Sequence, residues 1–152
     1  MHDLGEANLD KSILAKTEAL NEKEWQTVKN HPTVGFKILE EVNCLGEIAL
    51  DVVLHHHEKL TGNGYPHKLA GNSISPFVRI VTIADIFDAL TTDRPHRKDH
   101  STLSAIRVMH QSMRDDLDSN LLRLFVEMMG GTSAPGTKPK IPKRPGQRLF
   151  RR

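Results

Sequence analysis

The segment ISPFVRIVTIADIFDALT, which starts at Ile74, constrains the fold more than any other. Its β-branched run RIVTI has the propensity of a strand. Its length and the ADIFDAL that follows point to a helix, with Ser75 as the cap and Pro76 at the first helical position. A helix over residues 75–92 is therefore expected. The remaining ordered chain reads the same way. Asn21-Glu22-Lys23-Glu24 has the N-x-x-E form of a capping box and opens a helix that runs to about Lys29. Pro32, directly after His31, suits the first turn of another helix, with Val34, Phe36, Ile38 and Leu39 near helical spacing up to about Val42. Residues 45–57 form a further helical segment, with Ile48, Leu50, Val52, Val53 and Leu54 expected to be mostly buried. Gly62 and Gly64 make a turn. Residues 101–116 and 118–129 look like two more amphipathic helices. With no alternating strand pattern, internal repeat or Gly-rich phosphate loop, the expected fold is all-α, a helical bundle in one domain over residues 1–130.

Composition narrows the class. The chain has 152 residues, enough for one domain with a sizeable core, and 38% apolar with 26% charged residues suits a soluble globular protein. No apolar run approaches the ~20 residues that span a bilayer, so no membrane span is expected. Residues 1–20 lack the pattern of a signal peptide. The single cysteine, Cys44, excludes an internal disulfide and a multi-thiolate metal site, and it favours a reducing, cytoplasmic setting. The net charge of +2 is unevenly spread. Lys138, Lys140, Lys143, Arg144, Arg148, Arg151 and Arg152 crowd the last stretch without one acid. That stretch, residues 131–152, is rich in Pro and Gly and is expected to be a disordered basic tail. It reads either as a solvated tail, the expectation here, or as an arm for an anionic partner.

The potential metal ligands are His2, Asp3, His31, His56, His57 and Asp85, which fall on four separate predicted segments. Histidine and carboxylate without thiolate suit Fe, Mn, Zn or Ni. Adjacent residues on a helix point about 100° apart, so a His-His or His-Asp pair reaches two neighbouring metals or two sides of one site. Each piece alone is ordinary. The run His55-His56-His57 fits solvated or core histidines as well as ligands. Asp85 lies in an apolar run and needs a partner, whether Arg79, a backbone group or a metal.

Taken in order, HDLG (2–5), KNHPTVG (29–35), LHHHEKLTGNGYP (54–66) and RIVTIADIFDALTTDRPHRK (79–98) resemble the HD-GYP family of bacterial phosphodiesterases, over roughly residues 1–130. The resemblance implies an HD-type helical bundle holding two divalent metals, with a third in some members, Fe or Mn foremost. It implies hydrolysis of cyclic di-GMP to pGpG or GMP by a metal-activated hydroxide. By resemblance, His2, Asp3, His31, His56, His57 and Asp85 are the metal ligands, with Asp3 bridging. Asp88 resembles a helix-stabilising position, and His55 stands outside the ligand pair. Arg94 and Arg97 match basic positions that contact phosphate, where a planar fork suits the anion. Gly64, Tyr65 and Pro66 form the turn that approaches the substrate, with Tyr65 either touching substrate or packing beneath the loop. Asp3, Glu6, Arg94 and Arg97 are the candidate catalytic residues. Partners implied by the family are cyclic di-GMP, diguanylate cyclase (GGDEF) proteins and a second copy of the chain.

The chain departs from the family pattern at four places. Glu6 stands where the family has a lysine facing the substrate phosphate. Thr61 replaces an aspartate before Gly62, and His96 replaces a tyrosine. His2 and Asp3 directly follow Met1, so an N-terminally truncated domain lacking its upstream helix is expected. These departures favour a second reading, a catalytically degenerate module that binds a ligand or docks signalling proteins.

Overall fold

Ser75 opens the central helix as its sequence requires: its side-chain oxygen accepts from the Val78 amide, and Pro76 occupies the first turn. The structure, a computed structural model, describes residues 1–43, 45–92 and 101–130. Arg94, Arg97, His96 and the basic tail lie outside the described residues.

Seven α-helices and two 3-10 turns follow one another among the described residues. A 3-10 turn at Leu4–Asn8 leads to the single-turn α1 (Lys11–Leu14), whose cap Asp10 accepts from the Ser12 amide. Helix α2 (Glu22–Lys29) starts on the expected capping box, with the Asn21 and Glu24 side chains each bonding the other's backbone amide. Then come α3 (His31–Val42), α4 (Glu47–His55), a 3-10 turn at Gly71–Ser73, α5 (Pro76–Thr91), α6 (Thr102–Ser112) and α7 (Ser119–Met128). No strand forms among the described residues, where an isolated antiparallel bridge joins Thr61 to Ala70. No described helix is long and apolar enough to cross a membrane. The all-α expectation holds, including the helical reading of RIVTI.

The main core lies where α5, α6 and α7 meet. Ile83 and Leu90 of α5 pack with Ala105 and Met109 of α6, and Leu117 and Leu122 close the cluster. Met109 is fully buried, and burying such a side chain contributes about 1.5–3 kcal/mol. Helix α4 differs from the expectation in detail. It packs against α3 on one side and α5 on another. Val53 is buried between them, but Ile48 in the open first turn is 56% exposed.

A second contact sets the geometry of the site. The Leu4–Asn8 turn lies directly on α3, and the contact is glycine on glycine. A Cβ placed on Gly5 would sit 1.9 Å from the His31 carbonyl oxygen and 2.8 Å from the Gly35 nitrogen. Only hydrogen at Gly5 lets this segment come so close, and a small residue at position 35 helps. The segment that carries His2 and Asp3 is thereby held over the first turn of α3.

Candidate metal centre

Two backbone carbonyls orient the inner histidines. His31 Nδ1 lies 2.8 Å from the Val28 carbonyl oxygen, and His56 Nδ1 lies 2.9 Å from that of Val53. A carbonyl only accepts, so each Nδ1 carries the proton and each Nε2 turns inward. The two Nε2 atoms face each other at 3.3 Å. Asp3 Oδ1 completes the triangle, 3.4 Å from His31 Nε2 and 3.3 Å from His56 Nε2. In the neutral tautomers all three atoms are acceptors, an arrangement that only a proton or a cation relieves. His31 and His56 are almost wholly buried, so water cannot screen them.

The titration of the site answers the same demand for positive charge. Burial alone would raise the Asp3 carboxyl, but hydrogen bonds from His31 and His56 and the nearby His2 hold it well below the usual carboxylate range. Burial alone would lower His31, yet the Asp3 bond, the Val28 carbonyl and Glu6 raise it. His57 goes the other way, pushed down to about 3 by burial and then by the neighbouring His56 and His31. It is therefore neutral near pH 7, with a lone pair to offer.

Asp3 faces two ways. Its Oδ1 belongs to the His31–His56 triangle, and its Oδ2 lies 2.9 Å from His2 Nε2. On that second side Asp85 Oδ1 lies 3.5 Å from His2 Nε2, and Asp85 Oδ2 lies 3.8 Å from His57 Nδ1. Donor atoms within 4.8 Å of one another form two groups: Asp3, His31, His56 and His57, and His2, Asp3 and Asp85. The structure thus brings together all six residues singled out in the sequence, with Asp3 common to both groups. Nitrogen and carboxylate oxygen at these spacings form a site able to hold a metal ion. Arg79 is not the partner of Asp85. It binds Asp118 at 3.0 Å and the Gly71 and Ile74 carbonyl oxygens instead.

The third histidine points elsewhere. His55 Nδ1 pairs with Asp51 at 2.7 Å, and its Nε2 meets His67 Nδ1 at 2.9 Å. Glu6, on the 3-10 turn, belongs to neither donor group but is close enough to raise His31 and Tyr65.

The Gly-Tyr-Pro turn folds back onto the ligand pair. The Tyr65 amide donates to the His57 carbonyl at 3.3 Å, and the Tyr65–Pro66 bond is cis. A Cβ on Gly64 would strike the Glu58 Cα at 2.5 Å and the His57 carbonyl oxygen at 2.6 Å, so a side chain there would lift the turn away. The Tyr65 ring lies 4.7 Å from that of His57. Burial, then the Asp85, Asp3 and Glu6 carboxylates, raise its phenol, which stays protonated. Tyr65 both packs on a ligand residue and lines an open groove of about 540 Å³ beside it.

Sequence reasoning gave no role to Glu58, which is 1% exposed. Its carboxylate accepts from the His67 amide at 2.7 Å and the Leu69 amide at 3.0 Å, tying the loop to the end of α4. The available signal was a carboxylate directly behind the candidate ligand pair His56-His57, which must find donors if it is enclosed with them. Thr82 was missed too: its hydroxyl donates to the His56 carbonyl oxygen at 2.7 Å and fastens α5 to the ligand pair. Thr61, standing for the expected aspartate, donates to Asp116 at 2.6 Å.

Comparison with known proteins agrees with this geometry. The family model described as "HD domain" matches residues 1–121. A cyclic di-GMP phosphodiesterase of Pseudomonas aeruginosa is 35% identical over 130 residues, covering 86% of this chain and 31% of the relative. A 3'3'-cGAMP-specific phosphodiesterase of Vibrio cholerae is 36% identical over 118 residues, covering 78% of this chain and 25% of that protein. The chain therefore spans only about a quarter to a third of the length of these relatives. Among solved structures, an HDG"Y"P protein from Bdellovibrio bacteriovorus shares the fold with a TM-score of 0.68 at 16% identity, over 86% of this chain and 41% of the other. With the family match over most of its length and the HD, HHE and GYP segments gathered at one site, the chain belongs to the HD domain family as a member of its HD-GYP branch.

Proposed function

We propose that the chain is a metal-dependent phosphodiesterase that hydrolyses cyclic di-GMP to pGpG or GMP. The observation that carries this reading is the triangle of Asp3 Oδ1, on a half-exposed side chain, and the inward Nε2 atoms of the buried His31 and His56. A proton relieves one edge of it, whereas a cation relieves all three. The two donor groups around Asp3 suit two divalent ions, Fe or Mn.

When bound, such ions supply an electrophile for the phosphodiester and a water acidic enough to act near pH 7. The chain's own residues prepare the site. The Val28 and Val53 carbonyls fix the His31 and His56 tautomers, so the nitrogen lone pairs need no reorientation. Asp3 presents one oxygen to each side. His57 is kept neutral, and Tyr65 covers its ring on the groove side as a protonated phenol. Arg94 and Arg97 are the proposed phosphate contacts. Gly64, Tyr65 and Pro66 are the proposed substrate-facing turn. Named phosphodiesterases among the relatives support the substrate class.

One observation favours a second reading. Glu6 adds negative charge beside His31 and Tyr65, where a phosphate would approach. A degenerate module that docks a diguanylate cyclase in place of a nucleotide would tolerate that charge better than an enzyme. The test is turnover of cyclic di-GMP by the purified chain, loaded anaerobically with Fe(II) or Mn(II), against a metal-stripped control and Asp3→Asn. Metal-dependent release of pGpG or GMP, lost in the variant, is the expected result. No turnover by folded, metal-loaded protein would sink the enzyme reading in favour of the module.

A further inference from the structure

The groove of about 540 Å³ beside Tyr65 is lined by Gln26, Lys29 and Asn30 from α2 and by Asn63, Tyr65 and Lys68 from the loop that follows α4. Its size is that of a small-molecule site, on the order of 300–1,000 Å³. Its lining is unusual for an idle surface cleft: side-chain amides on both walls, a lysine from each, and no carboxylate. Lys68 stands out further. Its φ is +55°, one of two left-handed non-glycine residues among those described. Glycine would take this conformation at lower cost, so the backbone gives no reason for a lysine.

A row of rings joins this groove to the metal centre. Tyr65 lies 4.7 Å from His57 on one side and 6.4 Å from the Trp25 ring on the other. Trp25 is 40% exposed, and Lys29 Nζ hangs 5.3 Å from its ring centroid. The groove therefore offers the Tyr65 ring, with Trp25 set edge-on beside it, amide groups that match the hydrogen-bonding edge of a base, and two ammonium groups for a phosphate. Those are the parts of one nucleotide.

We propose that this groove holds the half of a cyclic dinucleotide that is not being cleaved. Its phosphate sits between Lys29 and Lys68, and its base edge is read by the amides of Gln26, Asn30 and Asn63. This rests on the phosphodiesterase reading for the identity of the ligand, and it adds where the second nucleotide goes and which residues select its base. Gln26, Asn30 and Asn63 are exposed in the free chain, so a bound base would strip water from their amides, and cyclic dinucleotides differing in that base would be told apart here rather than at the metals, by whether each covered amide finds its partner.

The test is equilibrium titration of cyclic di-GMP and of 3'3'-cGAMP into the metal-loaded full chain, and into Lys68→Gly and Asn63→Ala. Lys68→Gly is expected to weaken both ligands about tenfold, the loss of one charge-assisted contact. Its thermal midpoint should hold or rise, because glycine suits the left-handed backbone. Asn63→Ala is expected to change the ratio of the two affinities. Unchanged affinity in Lys68→Gly, or no binding of either ligand by the unaltered chain, would overturn the assignment. A merely structural lysine would lower the midpoint and leave affinity alone, which also overturns it. In parallel, hydrolysis of bis(p-nitrophenyl) phosphate by the unaltered chain reads the metal chemistry without a second nucleotide. Dinucleotide binding that obeys the variants without any such hydrolysis would refute the enzyme and leave the groove assignment standing.

Discussion

Substituting Gly5 by alanine tests whether the start of the chain is a placed part of the site. The added Cβ would lie 1.9 Å from the His31 carbonyl oxygen and 2.8 Å from the Gly35 nitrogen. Ordinary contact of non-bonded atoms begins at about 3.5 Å, so the Leu4–Asn8 turn must retreat by roughly 1.5 Å. The obstacle is helix backbone, which has no rotamer to change. Asp3 directly precedes this turn, with Oδ1 at 3.3–3.4 Å from the two inner histidines. Metal-ligand distances tolerate only about 0.2 Å, so the displaced carboxylate would drop out of the donor set. Metal affinity should fall about tenfold to a hundredfold, the range for disturbing the support of a site. Stability without metal should fall by about 1–3 kcal/mol, as in an overpacked contact. Calorimetric titration of metal-stripped protein with Mn(II), beside a helix spectrum, reads both. Gly35→Ala is the companion. Its Cβ meets Gly5 nitrogen at 3.1 Å and Val53 Cγ1 at 3.5 Å, a tight but tolerable fit. Alanine also gains about 1 kcal/mol of helix propensity, so this variant should stay close to the parent in stability. A Gly5→Ala protein that binds Mn(II) within about twofold of the parent would refute the reasoning.

Further outcomes follow from other contacts. Met109→Ala should cost about 2–5 kcal/mol and lower the thermal midpoint, because the side chain is fully enclosed by α5, α6 and α7. Glu58→Gln should cost about 1–3 kcal/mol, since an amide nitrogen must replace one oxygen that now accepts from a backbone N–H. Chemical denaturation reads both changes. Asp116 and Asp118 have lowered carboxyl pKa values: burial opposes this, and bonds from Lys59 and Thr61, or from the α7 amides and Arg79, outweigh it. Their stabilisation is full above the unfolded carboxyl value of about 3.9 and is lost as pH falls through the lower folded values. Thermal midpoints of the parent should therefore drop below about pH 4, and less steeply in Asp116→Asn.

The helices were readable because their starts are written in local chemistry. Asn21 and Ser75 each accept from the amide three residues on, so a short stretch of sequence contains the whole reason for each helix start. The β-branched RIVTI became helix because Val78, Thr82 and Ile83 meet neighbours on one face. Ile48 defied expectation because burial depends on which side of α4 the other helices cover, and sequence does not say this. The six donor residues were legible through their order and the resemblance it carries. Their division into two groups about Asp3 was not, since it depends on which oxygen faces which ring. The glycine contact, the Glu58 clamp and the Trp25–Tyr65 neighbourhood join residues 9 to 40 positions apart. No local pattern announces such pairings.

The donor groups have a consequence for the lifetime of the molecule. Asp3, His31 and the His56-His57 pair come from separate segments, and a cation in that donor group would close two loops of roughly 25 residues each. It would act as a staple, removing disorder from the unfolded chain as well as neutralising the folded one. Stability would then rise with free metal concentration by mass action. Metal-starved cells would hold a looser chain, more often open to a protease. The supply of metal would set how long the protein survives as well as how fast it works.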